Sequence, residues 1–380
     1  MLNRMLLRGA RAVFLLAGLV ACTGHTVVAD APVASDPELK LERVVMLMRH
    51  GVRPPTKAQV VPKGMHDQPW PAWQVDFGEL TQHGYDAVRL VGAWDRMNWS
   101  HRGLLPAQGC PAAADIEVAA SAKSRTQMTA RALVEGMAPG CVIHVDFPQD
   151  KDDDVEFHPL DVGAMPINAD EALRAVLALA PPGGMQAEVA AHADRFALLD
   201  RALGCTGVGA KSGCSLAAMP AAIVRNEQDR PDVGDPFGIA STASQTFLLE
   251  YLEGMPMKDV AWGRLTREQI EDLLEFHTLK FYYEGRAPYV AARAASPLAA
   301  RMLAAMEQGP KLTVLVGHDT NIADLGASWT CIGRCPATHV MIHRQVGRWV
   351  SRCCPMHQAS SSYMLSIARR RWTRYANCSR

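Results

Sequence analysis

Two short polar clusters hold the residue types that could do chemistry. The first is Arg49-His50-Gly51-Val52-Arg53-Pro54-Pro55, and the second is His318-Asp319-Thr320-Asn321. A guanidinium offers a planar fork of donors that matches a phosphate, so Arg49 and Arg53 could grip an oxyanion from two sides. A histidine between them sits in positive surroundings. Those lower its pKa and keep it neutral and nucleophilic in mild acid. Asp319 adds a carboxyl able to give or take a proton. Alone, the His-Asp pair is a weak signal.

The elements that must position these clusters are legible around them. Val44 to Met48 is a run of five apolar residues, long enough for a strand buried on both faces. Gly51 then lets backbone come close, and Pro54-Pro55 stops a return to regular structure. Lys311 to Val316 reads as a second buried strand, with Gly317-His318-Asp319 in the turn that opens a helix. Both clusters therefore fall at the carboxyl ends of buried strands, where open α/β sheets build their sites. Ile116 to Ala120 is a third strand, followed by polar Ser121 to Ser124 and a helix over Arg125 to Met137. Arg125 in that first turn works against the helix dipole, while the free amides there favour an anion. The local cost points to a ligand.

At these residues the chain resembles the histidine acid phosphatases. Arg49-His50-Gly51-x-Arg53-x-Pro55 looks like their signature, and the run Arg49 to Lys57 is closest to the bacterial periplasmic phytase and acid phosphatase group. Leu80-Thr81-x-x-Gly84, Ser124-Arg125-Thr126 and His318-Asp319-Thr320-Asn321 are similar too. The resemblance spans roughly residues 43 to 326. It implies a phosphoglycerate-mutase-like three-layer α/β sheet domain, residues 30–158 and 296–326, with a mostly helical insertion domain at 159–295 that covers the site and shapes substrate choice. It also implies a phosphomonoesterase in which His50 becomes phosphorylated. Arg49, Arg53, Arg125 and His318 would bind the phosphate, Asp319 would serve as the acid, and no metal or cofactor would be needed. The chain carries no HExxH or Walker-type loop. Thr56 and Lys57 match the phytase-like extension, where Lys57 could meet further phosphates of inositol hexakisphosphate. A sugar-phosphate phosphatase is the neighbouring reading. An acidic pH optimum is expected, because Asp319 must hold a proton to act.

The rest of the chain gives lesser expectations. The segment from Val61 to Gly78, with Trp70 and Trp73, reads as an aromatic-anchored loop. Glu79 to Asn98, Ala169 to Leu203 (divided at Pro181 to Gly184), Ile239 to Tyr251, Arg267 to Tyr283 and Pro297 to Gln308 have helical patterns. Cys141 to Val145 reads as a strand, and no strand is expected between Pro159 and Ala295. His158 reads as an ordinary loop residue. Cys205 and Cys214, and Cys110 and Cys141, are candidate pairs, though sequence alone cannot fix connectivity. With 48% hydrophobic residues, 21% charged residues and zero formal net charge, nothing global calls for a nucleic-acid partner. A small-molecule phosphomonoester, phytate or a sugar phosphate, and a monomeric state are expected.

The two ends are unusual. Arg4, Arg8 and Arg11 followed by apolar Ala12 to Val20 read as an export signal. Cleavage after Val27-Val28-Ala29 would make the product periplasmic. Leu19-Val20-Ala21-Cys22 resembles a lipobox and fits slightly better; it would leave a lipid anchor on Cys22. Either route leads to an oxidising compartment. The last 54 residues, 327–380, contain no Asp, Glu or Lys, nine Arg and five Cys, and no clear strand or helix period. They read as a frameshifted or altered terminus, or else as a basic tail for another partner. A terminus that fails to close the sheet would leave an inactive exported lipoprotein, the different-class reading.

Overall fold

A computed structural model describes residues 41–205 and 214–328, together with the backbone of three later strands within 341–367. The export signal and Cys22 lie outside the described residues. In chain order the main elements are β1 (Arg43–Arg49), α1 (Gln82–His101), β2 (Ile116–Ala120), α2 (Ser124–Met137), α3 (Ala169–Leu177), α4 (Gly184–Ala191) and α5 (Ala193–Leu203). There follow β3 (Ile223–Arg225), β4 (Pro231–Val233), α6 (Phe237–Leu252), α7 (Arg267–Leu273), α8 (Glu275–Gly285), α9 (Pro288–Gln308), β5 (Leu312–Gly317) and α10 (Asp319–Ser328). The last strands are β6 (Met341–Gln345), β7 (Arg348–Arg352) and β8 (Ser362–Ile367).

One sheet runs β2-β5-β1-β8-β6-β7. β1 and β2 both pair parallel to β5, with Arg49 opposite Gly317, so the carboxyl ends of three strands finish at one edge. β1 is apolar from Val44 to Met48, and β5 apart from Thr313, because both faces are covered. On one face, Val44, Met46, Val118 and Val314 pack with Trp99, Leu133 and Met137 of α1 and α2. On the other, Val45, Leu47 and Leu315 meet Leu298 and Met302 of α9 and Ile322 of α10. Helix, sheet and helix thus make three layers around the strand that ends in Arg49. α1 and α2 touch backbone to backbone, since a Cβ on Gly136 would overlap the Arg89 carbonyl.

A separate apolar cluster joins α3 to α8 through Phe196, Leu199, Phe237, Phe247 and Phe276. Trp70 stacks on Phe247, 5.6 Å between ring centres, tying the loop after the first motif to this cluster. The disulfides Cys110–Cys141 and Cys205–Cys214 are both formed.

Several expectations need correction. Strands do occur in the tail: β8 pairs antiparallel with β1 from Arg43 to Met48, and β6 and β7 extend the sheet. Backbone pairing along an open strand edge does not demand a clean side-chain period, which is why the pattern failed to announce them. The other tail residues lie outside the described residues. A short hairpin, β3 with β4, stands where no strand was expected. Residues 141–145 are not a strand, because one bridge between Ala119 and Asp146 is all the pairing this stretch finds. α9 begins at Pro288, not Pro297: Pro288 takes a first-turn position, where its missing N–H costs nothing, and Pro297 is tolerated inside.

Candidate active site

The end of β1 delivers His50 into a pocket of cations. The His50 backbone N–H donates to the Gly317 carbonyl at 3.0 Å, which binds the two motif loops together. Gly51 N–H donates to Thr129 Oγ1 of α2 at 3.0 Å. A Cβ on Gly51 would come within 2.9 Å of the Leu80 side chain and 3.1 Å of the Gly84 carbonyl, so a larger residue here would press on α1. His50 Nδ1 lies 2.9 Å from the Gly51 carbonyl. A carbonyl can only accept, so the proton is on Nδ1 and Nε2 keeps its lone pair. Burial first, then Arg49, Arg53, His318 and Arg125, hold the His50 pKa well below its ordinary value. The histidine is a neutral, oriented nucleophile.

Arg49, Arg53 and Arg125 surround it. Each has a buried Nε with no hydrogen-bond partner among the described residues. Arg53 donates to the Pro54 carbonyl at 2.8 Å and to Gln245 Oε1 at 3.4 Å. Its pKa is pushed down to about 9, by burial and then by Arg49. Burial also lowers the Arg125 pKa. Three crowded guanidiniums with unused donors are costly alone and suited to a multiply charged oxyanion. Thr56 lies across Gly78 from Arg125: a Cβ on Gly78 would be 3.8 Å from Thr56 and 3.9 Å from Arg125 Nη1. Lys57 beside it is exposed and makes no ion pair among the described residues.

From the end of β5, His318 places its ring 5.4 Å from that of His50. Burial first, then Arg125 and His158, keep its pKa well below the usual value. Asn321 Oδ1 accepts from the His318 backbone N–H at 2.8 Å, and its amide donates to the Phe157 carbonyl at 2.6 Å. Asp319 Oδ2 sits 3.1 Å from Arg49 Nη2, an ion pair without hydrogen-bond alignment. Burial would push the Asp319 carboxyl up. Arg49, a hydrogen bond from His277 and the charges of His277 and His50 outweigh it, and hold the group well below the carboxylate range. Asp319 is therefore a carboxylate in this arrangement.

The structure brings Arg49, His50, Arg53, Arg125, His318 and Asp319 together, with Thr56 at the edge. Sequence reading missed two further groups. Gln245 of α6 and His277 of α8 reach Asp319 Oδ2 at 3.2 and 3.3 Å. Nothing local marks either, since each lies on a helix far from both motifs. The second group stands behind His318. Ser121 Oγ is 3.2 Å from His318 Nε2 and donates to Asp154 Oδ2 at 2.6 Å; Asp154 also pairs with His158 at 2.8 Å. His158 lies in a loop, but its ring is 4.9 Å from that of His318. An acidic run ending in Phe157-His158-Pro159 was the available signal.

The model for the histidine phosphatase superfamily (branch 2) matches residues 40–179. The chain is 32% identical to phytase AppA of Escherichia coli over 79% of this chain and 74% of that protein. It is 30% identical to a glucose-1-phosphatase of Salmonella typhimurium over 80% and 75% of the two chains. The fold is similar to that of a Hafnia alvei phytase in complex with tartrate, with a TM-score of 0.72, 30% identity, and 78% and 76% of the two chains covered. Signature, sheet-edge geometry and relatives agree, and the chain belongs to the histidine phosphatase superfamily, branch 2.

Proposed function

We propose that this chain is a phytase-like phosphomonoesterase working through a phosphohistidine. The observation that carries the reading is the convergence of three guanidiniums with unpaired buried Nε donors on a neutral His50 whose Nε2 lone pair is free. Arg49, Arg53, Arg125 and His318 bind the non-bridging oxygens. His50 Nε2 attacks phosphorus, the bond to the leaving oxygen breaks, and the arginines stabilise the charge spread over the phosphoryl group. Asp319 protonates the leaving alkoxide. It then takes a proton from the water that hydrolyses the phosphohistidine.

Thr56 and Lys57 are assigned to substrate beyond the reacting phosphate, and Lys57, exposed and without an ion pair among the described residues, suits a second phosphate. Residues 159–295 act as the domain that covers the site, since α6 and α8 supply Gln245 and His277 to it. Export is part of the same reading, supported by the N-terminal pattern and by two disulfides.

The test is phosphate release from phytate, glucose 1-phosphate and p-nitrophenyl phosphate at acidic pH, with EDTA present. Activity that persists in EDTA and vanishes in His50→Ala is expected. Activity that survives His50→Ala overturns the phosphohistidine. Lys57→Ala should lower turnover of phytate more than that of the aryl phosphate, and equal loss on both removes the phytase assignment.

A further inference from the structure

The resting geometry contains a contradiction. The proposed acid must carry a proton, yet Asp319 is held as a carboxylate by Arg49 at 3.1 Å. One neighbour can resolve it. His277 Nε2 lies 3.3 Å from Asp319 Oδ2, the oxygen that also faces Arg49. His277 Nδ1 is fixed at 2.8 Å on Ser241 Oγ, so the ring presents Nε2 to the carboxylate.

We infer that His277 is a positioning residue that supplies and recovers the proton used by Asp319. The inference rests on the reading of Asp319 as the acid. Substrate triggers the transfer. A phosphoryl dianion between Arg49, Arg53 and Arg125 offsets the Arg49 charge that holds Asp319 ionised. Burial, which favours the neutral acid, then prevails. The proton passes from Nε2–H of the His277 imidazolium to Asp319 Oδ2, leaving a neutral histidine and a neutral acid. As the His50 Nε2–P bond forms and the P–O bond breaks, Asp319 gives that proton to the leaving oxygen. In the second half, the water that attacks phosphorus gives a proton to Asp319, and Asp319 returns it to His277. The cycle closes with no net change on either residue.

Gln245 stands between the pair. Its amide nitrogen lies 2.6 Å from His277 Nε2 and 3.2 Å from Asp319 Oδ2, and Arg53 donating to Oε1 fixes which end faces them. At 2.6 Å the amide donates to a bare Nε2, the state in which the proton has left His277. With the proton on His277, the Nε2–H takes the carboxylate and the amide must draw back, keeping its bond to Asp319 Oδ2. Gln245 thereby favours release of the proton from His277. The charged and titratable groups facing the pair are Arg49, His50, Arg53, Arg125 and His318 from the sheet edge, and Lys280 from α8. Burial first, and then Arg49 and Lys280, lower the His277 pKa, while Asp319 raises it. The proton is therefore loosely held, as a donor requires.

Leaving-group chemistry separates this role from a structural one. p-Nitrophenolate departs with little help, whereas an alkoxide needs its proton. In His277→Asn, kcat on glycerol 2-phosphate should fall roughly 10–100-fold, and kcat on p-nitrophenyl phosphate by less than about threefold. The alkaline limb of the glycerol 2-phosphate profile, where the imidazolium is lost, should change in position or steepness. In His277→Ala, added imidazole should restore the alkyl substrate alone. Equal loss on both substrates, or no loss on the alkyl one, overturns the proposal. Asp319→Asn is measured beside it. If that variant discriminates between leaving groups and His277→Asn does not, only the present inference fails. If Asp319→Asn shows no discrimination, the reading of Asp319 fails and takes this inference with it. Should His277→Asn not fold, the imidazole rescue decides.

Discussion

The sheet edge and the helical layer bury ionisable groups of opposite kinds. At the sheet edge, His50 and His318 are driven well below their ordinary pKa by burial and by surrounding cations. In the helical layer, burial pushes Glu250 up to about 8 with only the Ala261 N–H opposing it, and pushes Glu284 up to about 8 despite Lys280. The helical layer lets its misfit groups go neutral. The sheet-edge histidines do the same, but the arginines around them stay charged. The sheet edge stores electrostatic cost that an arriving dianion relieves. A folding core discards charge, and a binding site keeps it unpaired.

The two regions should therefore answer pH in opposite directions. The buried carboxyls bind protons more tightly in the folded chain than in the unfolded one. Their contribution is full below about pH 4 and is lost as pH climbs through about 8. The histidines of the site bind protons less tightly folded than unfolded. Their contribution is full above about pH 6.5 and is lost as pH falls below it.

The largest effect expected comes from separating function from stability at the sheet edge. Arg53→Met should lower kcat/KM by about 10²–10³-fold while leaving the melting temperature unchanged or higher, since one of three crowded cations is gone. A fall in melting temperature would show that the cluster is not strained. Gly136→Ala is the contrasting lesion. It forces α2 off α1, should cost roughly 1–3 kcal/mol in denaturant unfolding, and should reduce activity in step because α2 carries Arg125. Full activity in a destabilised Gly136→Ala would uncouple packing from the site. Glu250→Gln probes the helical layer: a gain of about 2 kcal/mol at pH 8 and none at pH 4 is expected from denaturant curves at both values. An equal gain at both would mean that Glu250 does not titrate in this range. The smallest effect is on ligand linkage. Excess inorganic phosphate at pH 5 should raise the melting temperature by about 2–5 °C in the parent protein and much less in Arg53→Met.

What could be read in advance follows the range of the forces involved. β1, β2, β5, α2 and the two motif loops were legible because a buried strand writes an apolar run and a turn writes Gly or Pro, all within a few residues. The six central residues came with them, through the resemblance those motifs carry. Gln245 and His277 were not legible, because their roles arise only when α6 and α8 fold over a sheet edge whose residues lie far away in sequence. Ser121 and Asp154 share that fate: each is an unremarkable polar residue until Asp154 accepts from Ser121 at 2.6 Å behind His318. The tail strands escaped for a different reason, since ladder pairing is a property of backbone and is nearly silent in side-chain type.

β1 is held on both sides, by β5 in parallel and by β8 in antiparallel register. Its amides should be among the last to exchange with deuterated solvent, opening only when the domain opens as a whole. The nucleophile hangs from the end of that strand. Partial fraying elsewhere then leaves His50 in place, and loss of activity on heating should follow the slowest exchange class. Inactivation would be abrupt, without a long stage of weakened enzyme.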